Sequence, residues 1–344
     1  MRNTSFKNEM NKFLLAEWQK DEYKAEIGTK TVFISYGGEC VKLCVLNDEL
    51  KIERPTEFQA EHTEADTLIA LHASQEEGDI IVRSSDTDVL VKLIHMIGRD
   101  QEEEKPIKYG RIVMDYGAGN NRRYIDLMSI HKNLEKRKVG VSRALPGIHA
   151  ISGCDYTAAL HGKGKVRPLK LLLDSEEDDD FIPALTSLSE GGTHYYSKIE
   201  KFVCRLYGIR STDNANEARK QKLFQLAGIK EKEVIPNNDV LKKLRKINCA
   251  LLPPCHKVMK NKIMRAQYVS QMWARASSKI PAEGLCPSQY GWLKDEGKWK
   301  IQWYHGPALP ENILGPGEDE DDDDEDNDDE DDVWSDNEIG DEDC

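Results

Sequence analysis

The chain has 344 residues, enough for two modest domains that bury a sizeable core. Its formal net charge of −14 is unevenly spread: residues 318–344 hold 19 acidic and no basic residues, whereas the rest of the chain holds 43 acidic and 48 basic ones. We therefore expect a mildly basic globular body with an acidic appendage. No stretch approaches the roughly 18 apolar residues of a membrane span. The N-terminal sequence has no apolar signal core, which argues against a secreted protein.

Eight cysteines are scattered along the chain, and no two of them are spaced Cys-x-x-Cys. Cys40 and Cys44 have no Cys or His companions at zinc-finger spacing. We interpret the cysteines as free thiols in a reducing compartment. The protein is therefore expected in the nucleus or the cytoplasm, without a membrane partner.

The chain opens with a helix and two strands. Apolar residues recur at helical spacing between Phe6 and Trp18, which predicts a helix over residues 5–23. Residues 31–36 and 41–46 are typical of two strands joined by a turn at Gly37-Gly38.

Strand and helix patterns alternate between residues 60 and 175, which predicts an α/β fold with a parallel sheet covered by helices. Ligands bind such sheets at the carboxyl ends of the strands. We expect Thr63 to cap the first helix of this region, with Asp66 completing a capping-box-like start. The predicted elements are a helix over 63–76, a strand over 80–85, a helix from residue 88, a strand over 111–116 and a helix around 123–137.

Residues 176–316 have a different character and are interpreted as a mainly helical extension. Helices are predicted over residues 194–207, 214–226 and 256–276. Residues 282–316 contain Pro, Gly and three tryptophans, which indicates an irregular or β-like wrap over the body. Residues 317–344 are expected to be disordered, because such a charge run cannot bury enough apolar surface to offset its ordering entropy.

Three acidic groups follow one another at the predicted ends of elements. They comprise Glu64 and Asp66, with Glu61 as an outside candidate, then Asp86 and Asp88, and finally Asp155 in the segment SGCDYT. Two divalent ions about 4 Å apart can activate a water and neutralise a phosphodiester. Mg²⁺ prefers oxygen ligands, which carboxylates from separate segments supply. The pattern therefore suits a metal-dependent enzyme that acts on nucleic-acid phosphates.

Each acidic group also has a purely structural interpretation. Glu64 and Asp66 can be favourable charges in the first turn of a helix. Asp86 and Asp88 can cap the helix that follows the strand, and Asp155 can be a turn residue. The occurrence of all three groups at expected ligand positions is what favours a metal site.

The segment HGKGKVRPLKLL follows Asp155 and has its own chemistry. Gly162 and Gly164 allow backbone amides to approach a phosphate closely. Lys163, Lys165 and Arg167 add positive charge, and the following helix N-terminus supplies a favourable dipole. A solvated glycine turn is the alternative.

The segment SGCDYTAALHGKGKVRPLKLL resembles the Gly-Cys-Asp-Tyr segment and helix–two-turn–helix of the flap-endonuclease-like 5′ nucleases, which have a PIN-like fold. TEADT resembles the family's Glu-Ala-Glu/Asp motif, and SSDTDV its Asp-x-Asp motif at the end of a strand. The order and spacing also agree, and the resemblance covers about residues 57–175. The remaining sequence, including LLPPCHKVMKNKIMRAQYVSQMW, is similar to a transposon-associated group of animal proteins.

This resemblance implies a PIN-like domain over residues 1–175. It also implies a two-metal Mg²⁺ or Mn²⁺ site built from Glu64, Asp66, Asp86, Asp88 and Asp155. Gly162, Lys163, Gly164, Lys165 and Arg167 would grip duplex DNA, with K⁺ a further ligand of the glycine hairpin. The family's fold begins with an Asp-bearing strand. No acidic residue upstream of Glu53 follows a convincing first strand, so we expect the domain to be incomplete at its N-terminus.

Three functions follow as hypotheses. The first is a structure-specific nuclease that cleaves branched or duplex DNA, or RNA. The second is a catalytically inactive nucleic-acid-binding descendant of such a nuclease. The third is a chromatin protein whose acidic tail binds basic proteins, or masks the basic body from nucleic acid. The sequence leaves the oligomeric state open.

Overall fold

The computed structural model describes residues 4–104, 106–192, 195–229 and 246–306, which all belong to one compact unit. The acidic tail and residues 307–316 lie outside the described residues, so the expectation of disorder there stays a prediction. The helices are α1 Thr4–Trp18, α2 Lys24–Ile27, α3 Ala65–Gln75, α4 Thr87–Glu102, α5 Leu127–Arg137, α6 Val141–Ser152, α7 Val166–Leu173, α8 Phe181–Glu190, α9 Tyr196–Leu206, α10 Ala215–Ala227 and α11 His256–Ala274. The strands are β1 Val32–Tyr36, β2 Glu39–Leu46, β3 Glu49–Glu53, β4 Gly78–Arg83, β5 Tyr109–Tyr116, β6 Arg123–Asp126, β7 Trp292–Asp295 and β8 Lys298–Ile301.

The first three strands form an antiparallel meander, β1-β2-β3. The two predicted strands and their turn at Gly37-Gly38 are confirmed, and β3 is an addition. β2 and β3 are joined through Asn47 and Asp48, both with positive φ (51° and 64°), as two-residue hairpin turns require. The predicted helix over 5–23 is wrong in its second part, because α1 ends at Trp18 and a 3₁₀ turn precedes α2.

A second sheet, β4-β5-β6, carries the alternating region. β4 and β5 are parallel and are connected through α4, whereas β6 runs antiparallel to β5. The α/β architecture is thus confirmed, but the sheet is mixed rather than parallel. The predicted helix around 123–137 is also wrong at its start, since residues 123–126 form β6. The helix begins after Asp126, whose side chain accepts a hydrogen bond from the Ser129 amide at 3.0 Å.

The hydrophobic core is continuous across residue 175. Val82 and Leu145 from the alternating region belong to the same buried cluster as Leu185, Phe202 and Trp273 from the helical region. α6 and α8 cross closely at Gly147, where a Cβ would lie only 2.1 Å from the Leu185 carbonyl oxygen. The helical region is therefore packed as part of the same core that supports the sheet.

The predicted helices of the C-terminal region correspond to α9, α10 and α11, which confirms them. The β-like character expected after residue 282 is confirmed by the β7–β8 hairpin. Among the residues that the structure describes, no helix combines the length and apolarity that a membrane crossing requires.

Candidate metal centre

Three carboxylates converge at the carboxyl end of β4. Asp66, Asp86 and Asp88 each offer an oxygen atom, and these oxygens lie within 4.8 Å of one another. Asp86 and Asp88 come directly after β4, and Asp66 lies in the first turn of α3. We call these three residues the acidic cluster.

Helix starts position all three side chains. Asp86 is the N-cap of α4, and its Oδ1 accepts a hydrogen bond from the Asp88 amide at 2.8 Å. The capping interpretation of this pair is therefore confirmed, and it coexists with membership of the acidic cluster. The predicted capping box of α3 is wrong, because Glu64 rather than Thr63 occupies the N-cap and makes no side-chain capping bond. That leaves the Glu64 and Asp66 carboxylates free for other partners.

Lys92 of α4 is the partner of these two carboxylates, and it was not among the predicted site residues. Its side chain is fully buried, and its ammonium lies 3.2 Å from Glu64 Oε2 and 3.3 Å from Asp66 Oδ2. The Trp273 indole of α11 donates a hydrogen bond to the same Glu64 oxygen at 3.4 Å. The Lys92 ammonium also lies 4.8 Å from the centre of the Trp273 ring system, within cation–π range. Glu64 is thus held by a buried cation and an indole.

Burial and like charge act on Asp66. Burial raises the pKa of the Asp66 carboxyl above its ordinary value, and the neighbouring charges of Asp86 and Glu64 add to this, while Lys92 opposes it. A further cation at the acidic cluster would relieve the repulsion among these carboxylates.

Asp88 is held by His149 of α6. The His149 Nε2 lies 2.7 Å from Asp88 Oδ1, and the histidine is buried. Burial favours the neutral acid, but the hydrogen bond and charge of His149, with Lys92 and Lys165, outweigh it and lower the pKa of Asp88. A histidine donor behind a carboxylate is the arrangement that orients metal ligands in many sites.

The acidic cluster can hold a metal ion. Its donors are carboxylate oxygens, which hard divalent cations prefer, and they come from two different helix starts. Glu64 is a neighbour of this group rather than a member, since only Asp66, Asp86 and Asp88 have oxygens that all lie within 4.8 Å of one another. The Glu64 carboxylate contacts Lys92 and Trp273.

Asp155 lies on the loop after α6, is exposed and is not part of the acidic cluster. The loop nevertheless borders the cluster: burial and then the Glu64 carboxylate raise the pKa of the neighbouring Tyr156. Glu61 is exposed and also lies outside the cluster.

The glycine turn presents only part of its predicted charge. Gly162 and Gly164 have positive φ (66° and 56°), with open space where a Cβ would be. Lys165 is exposed as a residue, but its ammonium donates to the carbonyl oxygens of His149 (2.8 Å) and Gly153 at the end of α6. A cation there complements the helix C-terminus.

The other two cations of the turn differ in exposure, since Arg167 is exposed and Lys163 is half-buried. The Lys163 ammonium lies 4.1 Å from the centre of the Tyr207 ring. Arg167 is exposed and forms no ion pair with any residue that the structure describes. Burial, followed by repulsion from Arg167 and Lys222 of α10, lowers the pKa of Lys163. Lys163, Arg167 and Lys222 therefore form a basic patch, which we call the turn patch.

The functional residues missed from sequence are Lys92, His149, Tyr156 and Trp273. Lys92 carried a usable signal, since it interrupts an otherwise apolar stretch of α4 and must find a buried partner. Trp273 ends the segment LLPPCHKVMKNKIMRAQYVSQMW, but nothing in the sequence connects it with the acidic motifs, from which it is far in the chain.

No family model, no curated protein and no solved structure matches this chain. The function is therefore argued from the geometry of the site.

Proposed function

We propose that this protein is a divalent-metal-dependent nuclease that hydrolyses phosphodiester bonds in DNA or RNA. The observation that supports it best is the convergence of Asp66, Asp86 and Asp88 within 4.8 Å at the end of β4. Their all-oxygen donor set suits Mg²⁺ or Mn²⁺.

Asp66, Asp86 and Asp88 would hold the ion, which when bound would polarise the phosphate and activate a water. His149 keeps the Asp88 carboxylate oriented and ionised. The Lys92 ammonium offsets the negative charge of the Glu64 and Asp66 carboxylates. The chain thus combines three ligands with one built-in cation, where the sequence predicted ligands for two metal ions. Asp155 and the second ion remain a proposal based on family resemblance.

The turn patch would contact the nucleic-acid backbone. Arg167 is exposed, Lys163 is half-buried against the Tyr207 ring, and Gly162 and Gly164 leave backbone groups open to a phosphate. Lys165 would act by fixing the end of α6 rather than by direct contact. The proposed K⁺ would bind backbone groups of the same glycine turn.

A non-catalytic nucleic-acid-binding protein is the second candidate. It is favoured by Lys92, whose ammonium already neutralises Glu64 and Asp66, and by the position of Asp155 outside the acidic cluster. In that case the carboxylates would serve stability and the turn patch alone would serve binding.

Cleavage of a nicked or 5′-flapped duplex with Mn²⁺ separates the two candidates. Asp86→Asn is the sharpest variant, because asparagine preserves the N-cap of α4 while removing a charged ligand. We expect the rate of cleavage to fall by about a hundredfold or more, while the free energy of unfolding stays unchanged. Asp178→Asn, at an exposed aspartate remote from the cluster in sequence, is the matched control.

Asp155→Asn then tests the third acidic motif, and a loss comparable to that of Asp86→Asn would place its carboxylate on the ion. Equal cleavage by wild type and Asp86→Asn, or DNA binding without any Mn²⁺-dependent cleavage, would contradict the nuclease proposal. The latter result would support the non-catalytic candidate.

A further inference from the structure

A second site borders α11, the helix that also carries Trp273. It is a cavity of about 200 Å³ between the loop after Tyr156, α11 and the segment after β8. Its main lining residues are Ala158, Asn261, Lys262, Arg265, Trp303 and Tyr304, and no acidic residue lines it. We call it the α11 cavity.

Two buried cations of the α11 cavity have no counter-charge among the residues that the structure describes. Lys262 is 4% exposed and Arg265 is 5% exposed. Neither forms an ion pair within the described part of the chain. Within the described ranges, the one acceptor of the Lys262 ammonium is the Ala158 carbonyl oxygen. Burial lowers the pKa of Lys262 to about 8, opposed by Cys154 and assisted by Arg265 and Lys165. A buried charge without a partner is unfavourable.

Arg265 is still less well paired. Its Nη1 has only long contacts, 3.4 Å to the Gly291 carbonyl oxygen and 3.5 Å to that of Gln302. Its Nε is buried and has no acceptor among the described residues. An arginine with a free N–H edge matches the two oxygens of a phosphate or a carboxylate.

The mouth of the cavity is aromatic and basic. Trp303 is 58% exposed, which is unusual for so large an apolar side chain. Lys257, one turn before Asn261, lies 5.9 Å from the centre of the Tyr304 ring. An exposed indole beside buried cations suits a ligand with an anionic group and a flat ring.

We propose that the α11 cavity binds a nucleotide through its phosphate, with Lys262 and Arg265 holding the phosphate oxygens and Trp303 stacking against the base. The nucleotide is either a free nucleoside monophosphate or the phosphorylated end of a strand. This site uses none of the carboxylates of the acidic cluster. A bound anion supplies the counter-charge that the described residues do not.

The test is calorimetric titration of the full chain with adenosine 5′-monophosphate in EDTA, so that no divalent ion occupies the acidic cluster. We expect one nucleotide to bind per chain, more tightly than inorganic phosphate or adenosine alone. Lys262→Met should weaken binding at least tenfold, and Trp303→Ala several-fold. Lys260→Met on the same helix and Trp299→Ala on β8 are the matched controls and should bind like wild type. Asp86→Asn should also bind the nucleotide like wild type, whatever its effect on cleavage.

Oligonucleotides with and without a 5′-phosphate distinguish the two sources. A strand end is identified if the 5′-phosphorylated oligonucleotide binds more tightly than both the unphosphorylated oligonucleotide and the mononucleotide. The free nucleotide is identified if the mononucleotide binds at least as tightly as the phosphorylated oligonucleotide. The proposal is overturned if no nucleotide binds, if Lys262→Met binds like wild type, or if a peptide of residues 318–344 binds the cavity in place of the nucleotide. Thermal unfolding should show Lys262→Met to be at least as stable as wild type, because the substitution removes a buried charge. The carbonyl oxygen of the exposed Ala158, which loses its lysine donor, can accept a hydrogen bond from water instead.

Discussion

The acidic cluster and the α11 cavity each contain a buried lysine, but the two lysines have opposite surroundings. Lys92 lies between two carboxylates and beneath an indole. Lys262 has one carbonyl oxygen and two neighbouring cations. A cation that is fully paired within the chain is part of the structure, whereas a cation left unpaired favours an external anion. The contrast assigns stability to Lys92 and binding to Lys262, and each assignment can be tested separately.

The largest effect is expected from Lys92→Met. The variant keeps the length of the side chain but leaves Glu64 and Asp66 facing Asp86 and Asp88 without a counter-charge. We expect the free energy of unfolding to fall by about 3 kcal/mol, as for other buried pairs that lose one partner. Saturating Mn²⁺ should restore much of this loss, since a ligand at one hundred times its Kd stabilises by about 2.7 kcal/mol.

Denaturant unfolding with Mn²⁺ or with EDTA measures both quantities. Lys170→Met, at an exposed lysine of α7, is the control and should be neutral. A Lys92→Met protein as stable as wild type in EDTA would mean that the carboxylates do not need this ammonium.

The pH dependence of stability tests the other lysine. The pKa of Lys262 is about 8 in the folded chain against an ordinary 10.5. Between these values the unfolded chain binds a proton that the folded chain does not, so stability should rise with pH across this window. Below pH 8 Lys262 is protonated in both the folded and the unfolded chain, so the full cost of burying its charge is present.

Relative to Lys262→Met, wild type should gain on the order of 2–3 kcal/mol between pH 7 and pH 10. Taking the difference between the two proteins removes groups that titrate alike in both. Cys154, Arg265 and Lys165 face this ammonium, so Cys154→Ser in both backgrounds controls for thiolate formation. A pH-independent difference between wild type and Lys262→Met would show that Lys262 is not buried as a cation.

The smallest effect is expected from Arg167, which is exposed and forms no ion pair within the described ranges. Arg167→Ala in the turn patch should weaken DNA binding only a few-fold. It should also lower the slope of log affinity against log salt by about one, because one phosphate contact and its counterion release are lost. Arg54→Ala, at an exposed arginine after β3, should leave the slope unchanged. Fluorescence titrations over a salt series measure the slope, and equal slopes for both variants would remove the turn patch from the interface.

The acidic cluster was predictable because its residues follow local rules. Carboxylates at helix starts are visible as short motifs: Asp86 and Asp88 begin α4 directly after β4, and Asp66 lies in the first turn of α3. The mixed sheet was not predictable, since β6 has only four residues and continues directly into α5. The α11 cavity was also out of reach, because its cations become neighbours of the loop after Tyr156 only through tertiary packing.

The hydrogen bond from Trp273 to Glu64 joins residues 209 positions apart. A ribosome that adds about 5–20 residues per second takes roughly 10–40 s to cover that separation. For this period the nascent chain carries the complete acidic motifs without the indole that covers Lys92 and Glu64. The surroundings of the acidic cluster are therefore completed late in biosynthesis, after the α/β elements have emerged, and a chain stopped before α11 would lack the indole that contacts Glu64 and Lys92.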